Sequence, residues 1–178
     1  MIGVLPIGEI DTEFLSRLLE KLEEILGGCR TKLEEPWDLQ ADSYDPARKQ
    51  YHSTQIIRSI SKLIRNSEVD KILGVTREDL YVPSLNFVFG EAECPGNVAV
   101  ISMFRLDPNF YGQGDSLLLF QRTVKEAVHE LGHTFGLAHC NDPNCVMFFS
   151  NRIYDTDRKH ETFCDRCNQL VMKIIEGE

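Results

Sequence analysis

Apolar residues recur along this chain with two periods, and the alternation between them marks out the elements. Ile2 to Pro6 is a short apolar run, the pattern of a buried strand. Phe14, Leu15, Leu18, Leu19, Leu22, Ile25 and Leu26 then form one stripe of a helix that Asp11 or Thr12 caps and Gly27-Gly28 stops. Cys29 to Leu33 predicts a second strand, and the polar, proline-containing segment Glu35 to Tyr44 a loop. A second helix is expected to open with Asp45-Pro46 as cap and first turn. It should run to about Arg65, with Ile57, Ile60 and Ile64 facing in. Lys71 to Val75, Phe87 to Phe89 and Val98 to Phe104 read as further strands, the last two separated by a turn at Pro95-Gly96.

Phe110 to Gly114 is a glycine-containing loop leading into a long amphipathic stretch from Asp115 to Phe135. Its apolar stripe is Leu117, Phe120, Val124, Val128, Leu131 and Phe135. Asp165 to Ile175, with Leu170, Val171, Ile174 and Ile175 at helical spacing, predicts a last helix. Strands alternating with helices in the first two-thirds imply an α/β layer. With no internal repeat or linker, residues 1–178 are expected to form a single domain.

The net charge of −9 argues against nucleic acid or anionic membrane as a general partner. No apolar run approaches the length of a membrane span. The opening Met1-Ile2-Gly3-Val4-Leu5-Pro6 lacks the basic region and cleavage site of a signal peptide, so a cytoplasmic location is expected.

Candidate chemistry is concentrated from the second half of the long helix to Cys167. His129-Glu130-Leu131-Gly132-His133-Thr134-Phe135-Gly136-Leu137-Ala138-His139 reads HExxHxxGxxH. His129 and His133 stand one turn apart on one helix face, so two imidazoles can share one tetrahedral zinc ion. Gly136 tolerates the left-handed conformation that ends a helix and lets His139 supply a third nitrogen from another direction. Three protein ligands leave a fourth position open, the mark of a catalytic rather than a structural site. Glu130 points beside them, free to accept a proton from water without being a ligand. The apolar stripe lies nearly opposite the two histidines, leaving their face free to line a cleft.

Four of the six cysteines fall in two close pairs, Cys140-x4-Cys145 and Cys164-x2-Cys167. Four thiolates so spaced suit a closed, tetrahedral structural zinc; the alternatives are ordinary buried cysteines or two disulfides, which a reducing cytoplasm disfavours. Cys29 and Cys94 have no partner signature and read as small apolar residues. His52 and His160 read as structural or exposed, His160 being a poor alternative ligand.

Met147 comes eight residues after His139. The run from His129 to Cys167, HExxHxxGxxHC-x4-C-x-M and then CxxC, resembles the archaemetzincins, a metzincin family of zinc metallopeptidases. The sixteen residues between Met147 and Cys164 are one fewer than that family's spacing. The resemblance implies a minimal metzincin (zincin-like) α/β fold: a five-stranded mixed twisted sheet, a backing helix, an active-site helix and a C-terminal helix. It makes Met147 the Met-turn residue, an apolar floor under the three histidines. Phe149 stands where astacin-like metzincins carry a tyrosine ligand, so none is expected. The family's edge strand falls within Asn86 to Glu93, where an extended peptide can add as a strand.

The expected function is a zinc metallopeptidase with two zinc ions per chain, one catalytic and one structural. Glu130 is the expected general base and a peptide or protein the expected substrate, with monomer as the default state. Two rivals are a zinc- or peptide-binding protein without productive turnover and a zinc hydrolase of non-peptide amides. The first draws support from the short stretch after Met147, which makes the wall on one side of the cleft small.

Overall fold

The computed structural model of the protein describes residues 1–64 and 68–177. Its centre is three parallel strands: β1 (Ile2–Ile7), β5 (Lys71–Thr76) and β8 (Val98–Ser102). Every residue of β1 and β8 is buried. Burial on both faces is why these stretches read as unbroken apolar runs rather than as alternations. β2 (Thr31–Leu33) joins in parallel at one edge, and β7 (Gly90–Ala92) antiparallel at the other, in the order β2-β1-β5-β8-β7. The five-stranded mixed sheet is thus as expected.

The strand period of two divides the core. Ile2, Val4, Leu73, Val75, Ala99 and Ile101 face α1 (Thr12–Ile25), the long helix α3 (Ser116–Thr134) and the C-terminal α5 (Asp165–Glu176). Leu5, Ile7, Ile72, Val98 and Val100 face α2 (Ser53–Leu63). α1 begins where expected, with the Asp11 carboxylate accepting from the Phe14 N–H at 2.8 Å. Among the described residues, no helix is long and apolar enough to cross a membrane.

Three sequence expectations are corrected. First, Asp45-Pro46 does not open a helix. The Asp45 carboxylate accepts from the N–H groups of Ala47 and Arg48 (2.9 and 3.1 Å), capping a tight turn instead. Lys49 then adopts φ 56°, a left-handed conformation that a helix cannot contain. The chain reverses into a hairpin of β3 (Tyr44–Asp45) and β4 (Gln50–His52), which β6 (Leu80–Tyr81) extends to a small second sheet. α2 therefore starts at Ser53 and is described to Leu63; its expected end at Arg65 lies outside the described residues. Ile56, Ile57 and Ile60 carry its buried face, while Ile64 is only partly buried.

Second, the strand expected at Phe87–Phe89 lies three residues later, at Gly90–Ala92. The two phenylalanines pack edge to face at 5.2 Å, and of the pair only Phe89 reaches the sheet, its carbonyl accepting from the Ser102 N–H at 2.8 Å. Third, a short helix α4 (Ile153–Arg158) was not anticipated, and the apolar stripe of α5 is narrower than expected: Val171 is buried, but Leu170 and Ile174 are half exposed. Leu117, at the start of the α3 stripe, is exposed as well.

Candidate metal centre and active site

α3 positions the site. Its first turn is capped by Asp115, which accepts from the N–H groups of Leu117 and Leu118. Its C-terminal half is buried on nearly all sides, with Val124, Val128 and Leu131 in the core. The helix stops as expected: Gly136 takes φ 85°, and the Leu137 N–H closes back on the Gly132 carbonyl at 3.1 Å. Lys71 on β5 braces this end, its Nζ donating to the carbonyls of Thr134 and Gly96 at 3.0 and 2.7 Å.

The turn brings His139 back onto the face that carries His129 and His133. The Nε2 atom of His133 lies 3.2 Å from Nε2 of His129 and 3.2 Å from Nε2 of His139. Ligands about 2.0–2.1 Å from a tetrahedral zinc are about 3.3–3.4 Å apart, so this spacing suits the ion. The opposite ring nitrogens are spoken for. Nδ1 of His129 donates to the Val146 carbonyl and Nδ1 of His133 to the Leu137 carbonyl, each at 2.7 Å. That assigns the bare lone pairs to the converging Nε2 atoms, the arrangement a cation stabilises. Burial holds all three imidazoles below their ordinary pKa, most strongly His129, so they are neutral as ligands must be.

A cleft of about 480 Å³ opens beside these rings, walled by Val82, Leu85–Ala92 and Phe149–Asn151. Three carboxylates line it, and two are engaged. Glu91 accepts from Ser53 and Thr54 at the start of α2. Glu126 pairs with Lys159 at 3.0 Å and accepts from Thr156 at 3.0 Å. Glu130 has no side-chain hydrogen-bond partner among the described residues, although it is only 6% exposed. Burial pushes its carboxyl well above the usual range; the Glu126 carboxylate adds to this and Lys159 opposes it. The Glu130 oxygens are not buried, unpartnered atoms and so open to the cleft, where a carboxyl that no protein group engages is placed for proton transfer. The approach of β7 to the helix fixes its place: a Cβ at Gly90 would lie 2.6 Å from Cγ of Glu130, so only glycine fits there.

Met147 is fully buried against α3, and Gly132 makes room for it. A Cβ at Gly132 would collide with the Met147 sulfur. Phe149 packs on the His139 ring at 4.7 Å.

The second constellation also converges. The Sγ atoms of Cys140, Cys145, Cys164 and Cys167 all lie within 4.8 Å of one another, with 3.8 Å between Cys140 and Cys164. Sulfurs about 2.3 Å from a tetrahedral zinc are about 3.8 Å apart. All six cysteines are free thiols. Burial raises the Cys145 and Cys167 thiols, and neighbouring sulfurs add to this; a divalent cation lets such a cluster ionise together. The two sets are linked through the main chain. The Cys140 N–H donates to the Met147 carbonyl at 2.9 Å, and Val146, whose carbonyl accepts the hydrogen bond from His129, lies between Cys145 and Met147.

His52 packs on Tyr81 and His160 is exposed, neither within the two convergent sets; Cys29 and Cys94 are also outside them. Sequence reasoning missed Lys159, fully buried with its Nζ 3.4 Å from Nδ1 of His129. A lysine between Arg158 and His160 reads as solvated, and nothing local marks it otherwise.

The model of peptidase family M54 matches residues 18–173. An archaemetzincin of Pyrococcus furiosus is 44% identical over 172 residues, covering 94% of this chain and 90% of the relative. The chain belongs to the archaemetzincins. It is by membership a zinc metallopeptidase. The archaemetzincin fold is shared in full. The crystal structure of the Methanopyrus kandleri archaemetzincin matches with a TM-score of 0.86 at 41% identity, covering 99% of this chain and 96% of that one. A zinc-dependent peptidase from Methanocorpusculum labreanum matches with a TM-score of 0.87 at 29% identity, covering 96% and 100%.

Proposed function

We propose that this archaemetzincin hydrolyses peptide bonds at the three-histidine centre, with Glu130 as general base. The observation that carries the proposal is the convergence of three neutral Nε2 atoms beside a buried carboxyl that no protein group satisfies. His129, His133 and His139 would hold the zinc. Bound there, it would lower the pKa of a water towards about 7 and polarise a carbonyl. Glu130 accepts a proton from the attacking water and returns it to the leaving amine. Its raised basicity suits the first transfer.

β7 is the free edge of the sheet and forms one wall of the cleft, so an extended substrate strand can pair with Gly90–Ala92. Cys140, Cys145, Cys164 and Cys167 would hold a second, structural zinc, with Met147 flooring the first. Free thiols accord with a reducing cytoplasmic location, and the acidic chain with a protein or peptide rather than nucleic acid or a membrane as partner.

Protein purified without chelator is expected to contain about two zinc ions per chain, and His133→Ala about one, with the fold kept. Metal analysis beside circular dichroism checks this. An empty or disulfide-bonded cysteine set after reducing purification overturns the two-site assignment. Peptide profiling by mass spectrometry tests turnover: cleavage should vanish with chelator and return with zinc. A two-zinc protein that cleaves no peptide would instead be a binding protein, and one that cleaves only small amides a hydrolase of another class.

A further inference from the structure

Leu85 is a large apolar side chain left 46% exposed on the wall of the cleft. It belongs to the stretch between β6 and β7, where strand-like contacts come only at the far end, Val88 bridging to Leu80 and the Phe89 carbonyl accepting from the Ser102 N–H. Regular pairing therefore does not hold residues 82–87 over the cleft, and side chains from elsewhere do. Arg48 donates through Nη2 to the Leu85 carbonyl at 2.8 Å, across 37 residues of sequence. Gln50 donates to the Asn86 carbonyl at 3.0 Å. The Arg105 guanidinium covers the Phe87 ring at 4.4 Å and is itself fixed by two bonds to Asp79, at 2.8 and 2.7 Å.

Arg48 is itself held on three sides. Its N–H is tied to Asp45, its Nε points to Gln50, and its guanidinium lies 4.4 Å over the Tyr81 ring. The residue after it, Lys49, is the one non-glycine among the described residues with positive φ. Such a conformation persists only where its surroundings impose it. Here it closes the hairpin that turns Arg48 towards the rim.

We infer that Arg48 is a positioning residue for substrate binding: by holding the Leu85 carbonyl it fixes the rim so that the Leu85 side chain meets a bulky apolar side chain of the peptide next to the scissile bond. The inference deepens the proposed function and rests on the histidine centre being the hydrolytic site. The preferred substrates are then peptides with leucine-like residues at that position. Arg48 reaches the substrate only through the rim.

Two hydroxamates separate the metal's contribution from the rim's on zinc-loaded protein. Acetohydroxamate presents the metal-binding group alone, and N-acetyl-leucine hydroxamate adds an apolar side chain. The parent should bind the leucine probe more tightly. Leu85→Ala should weaken it about tenfold, the scale of apolar side-chain discrimination. Arg48→Ala should weaken it about fivefold, the scale of one lost hydrogen bond, with Arg48→Lys recovering part. Affinity for acetohydroxamate should not change in any of these variants. Exchange of the hydrogen-bonded amides of residues 85 and 88 should quicken in Arg48→Ala and not in Leu85→Ala.

Parental affinity of Arg48→Ala for the leucine probe, or an equal loss for both probes, overturns the inference. Failure of the parent to bind acetohydroxamate would sink the histidine-centre reading instead. The exchange comparison, which needs no zinc, would then decide whether Arg48 holds the rim.

Discussion

Glu130→Gln is expected to keep its zinc and its fold while peptide hydrolysis falls by about 100- to 10,000-fold. The amide has the shape of the carboxylate, which matters where the side chain lies against Gly90 with no space to spare. It cannot take up a proton at neutral pH. Glu130 is outside the convergent histidine set, so metal content should stay at the parental value. The check is kcat on a peptide the parent cleaves, alongside zinc analysis of the same preparation. Turnover at the parental rate would remove Glu130 from the mechanism and leave its unpartnered, buried carboxyl without a role.

The second large effect is expected from Cys164→Ser/Cys167→Ser. Structural zinc in small cysteine sites can contribute about 10 kcal/mol or more of apparent binding free energy, so thermal stability should fall steeply. The consequence at a distance is more specific. Val146, flanked by Cys145 and Met147, offers the carbonyl that accepts the hydrogen bond from His129 Nδ1. The Cys140 N–H reaches back to the Met147 carbonyl, and the Cys164 N–H points at the Cys145 sulfur at 3.3 Å. Loosening Cys145 should therefore release the group that orients His129, and outer partners of this kind are worth about 10- to 100-fold in metal affinity. Zinc titration of the histidine site at a temperature where the double variant stays folded reads this directly. Affinity equal to the parent's would mean that the cluster staples the C-terminal helix and leaves the first site untouched.

Features were legible in the sequence to the extent that their causes are local. The histidines and Glu130 share one helix and one turn, so their spacing along the chain is their spacing in the structure. The central strands were legible because burial on both faces leaves no polar alternation. The failures lie where the deciding partner is far away. Asp45-Pro46 signals a helix start or a tight turn equally well, and the choice is made by Lys49 in a left-handed conformation and a partner strand at Leu80–Tyr81. Phe87 and Phe89 have the composition of a strand, but one is spent on Arg105 and the other on the core. Lys159 was invisible because its partner, Glu126, is on another helix.

That buried pair also bears on how this sequence can drift over generations. Lys159 and Glu126 are 0% and 3% exposed at their side chains, and the Lys159 Nζ lies 3.4 Å from Nδ1 of His129. Losing one member of such a pair strands a charge away from water and costs about 3–5 kcal/mol, whereas replacing both with apolar residues of similar volume is often neutral. Each single replacement thus takes a large share of the about 5–15 kcal/mol that holds a chain folded, although the double replacement does not. Positions 126 and 159 should accordingly travel together through descent, unchanged for long intervals and then exchanged as a unit.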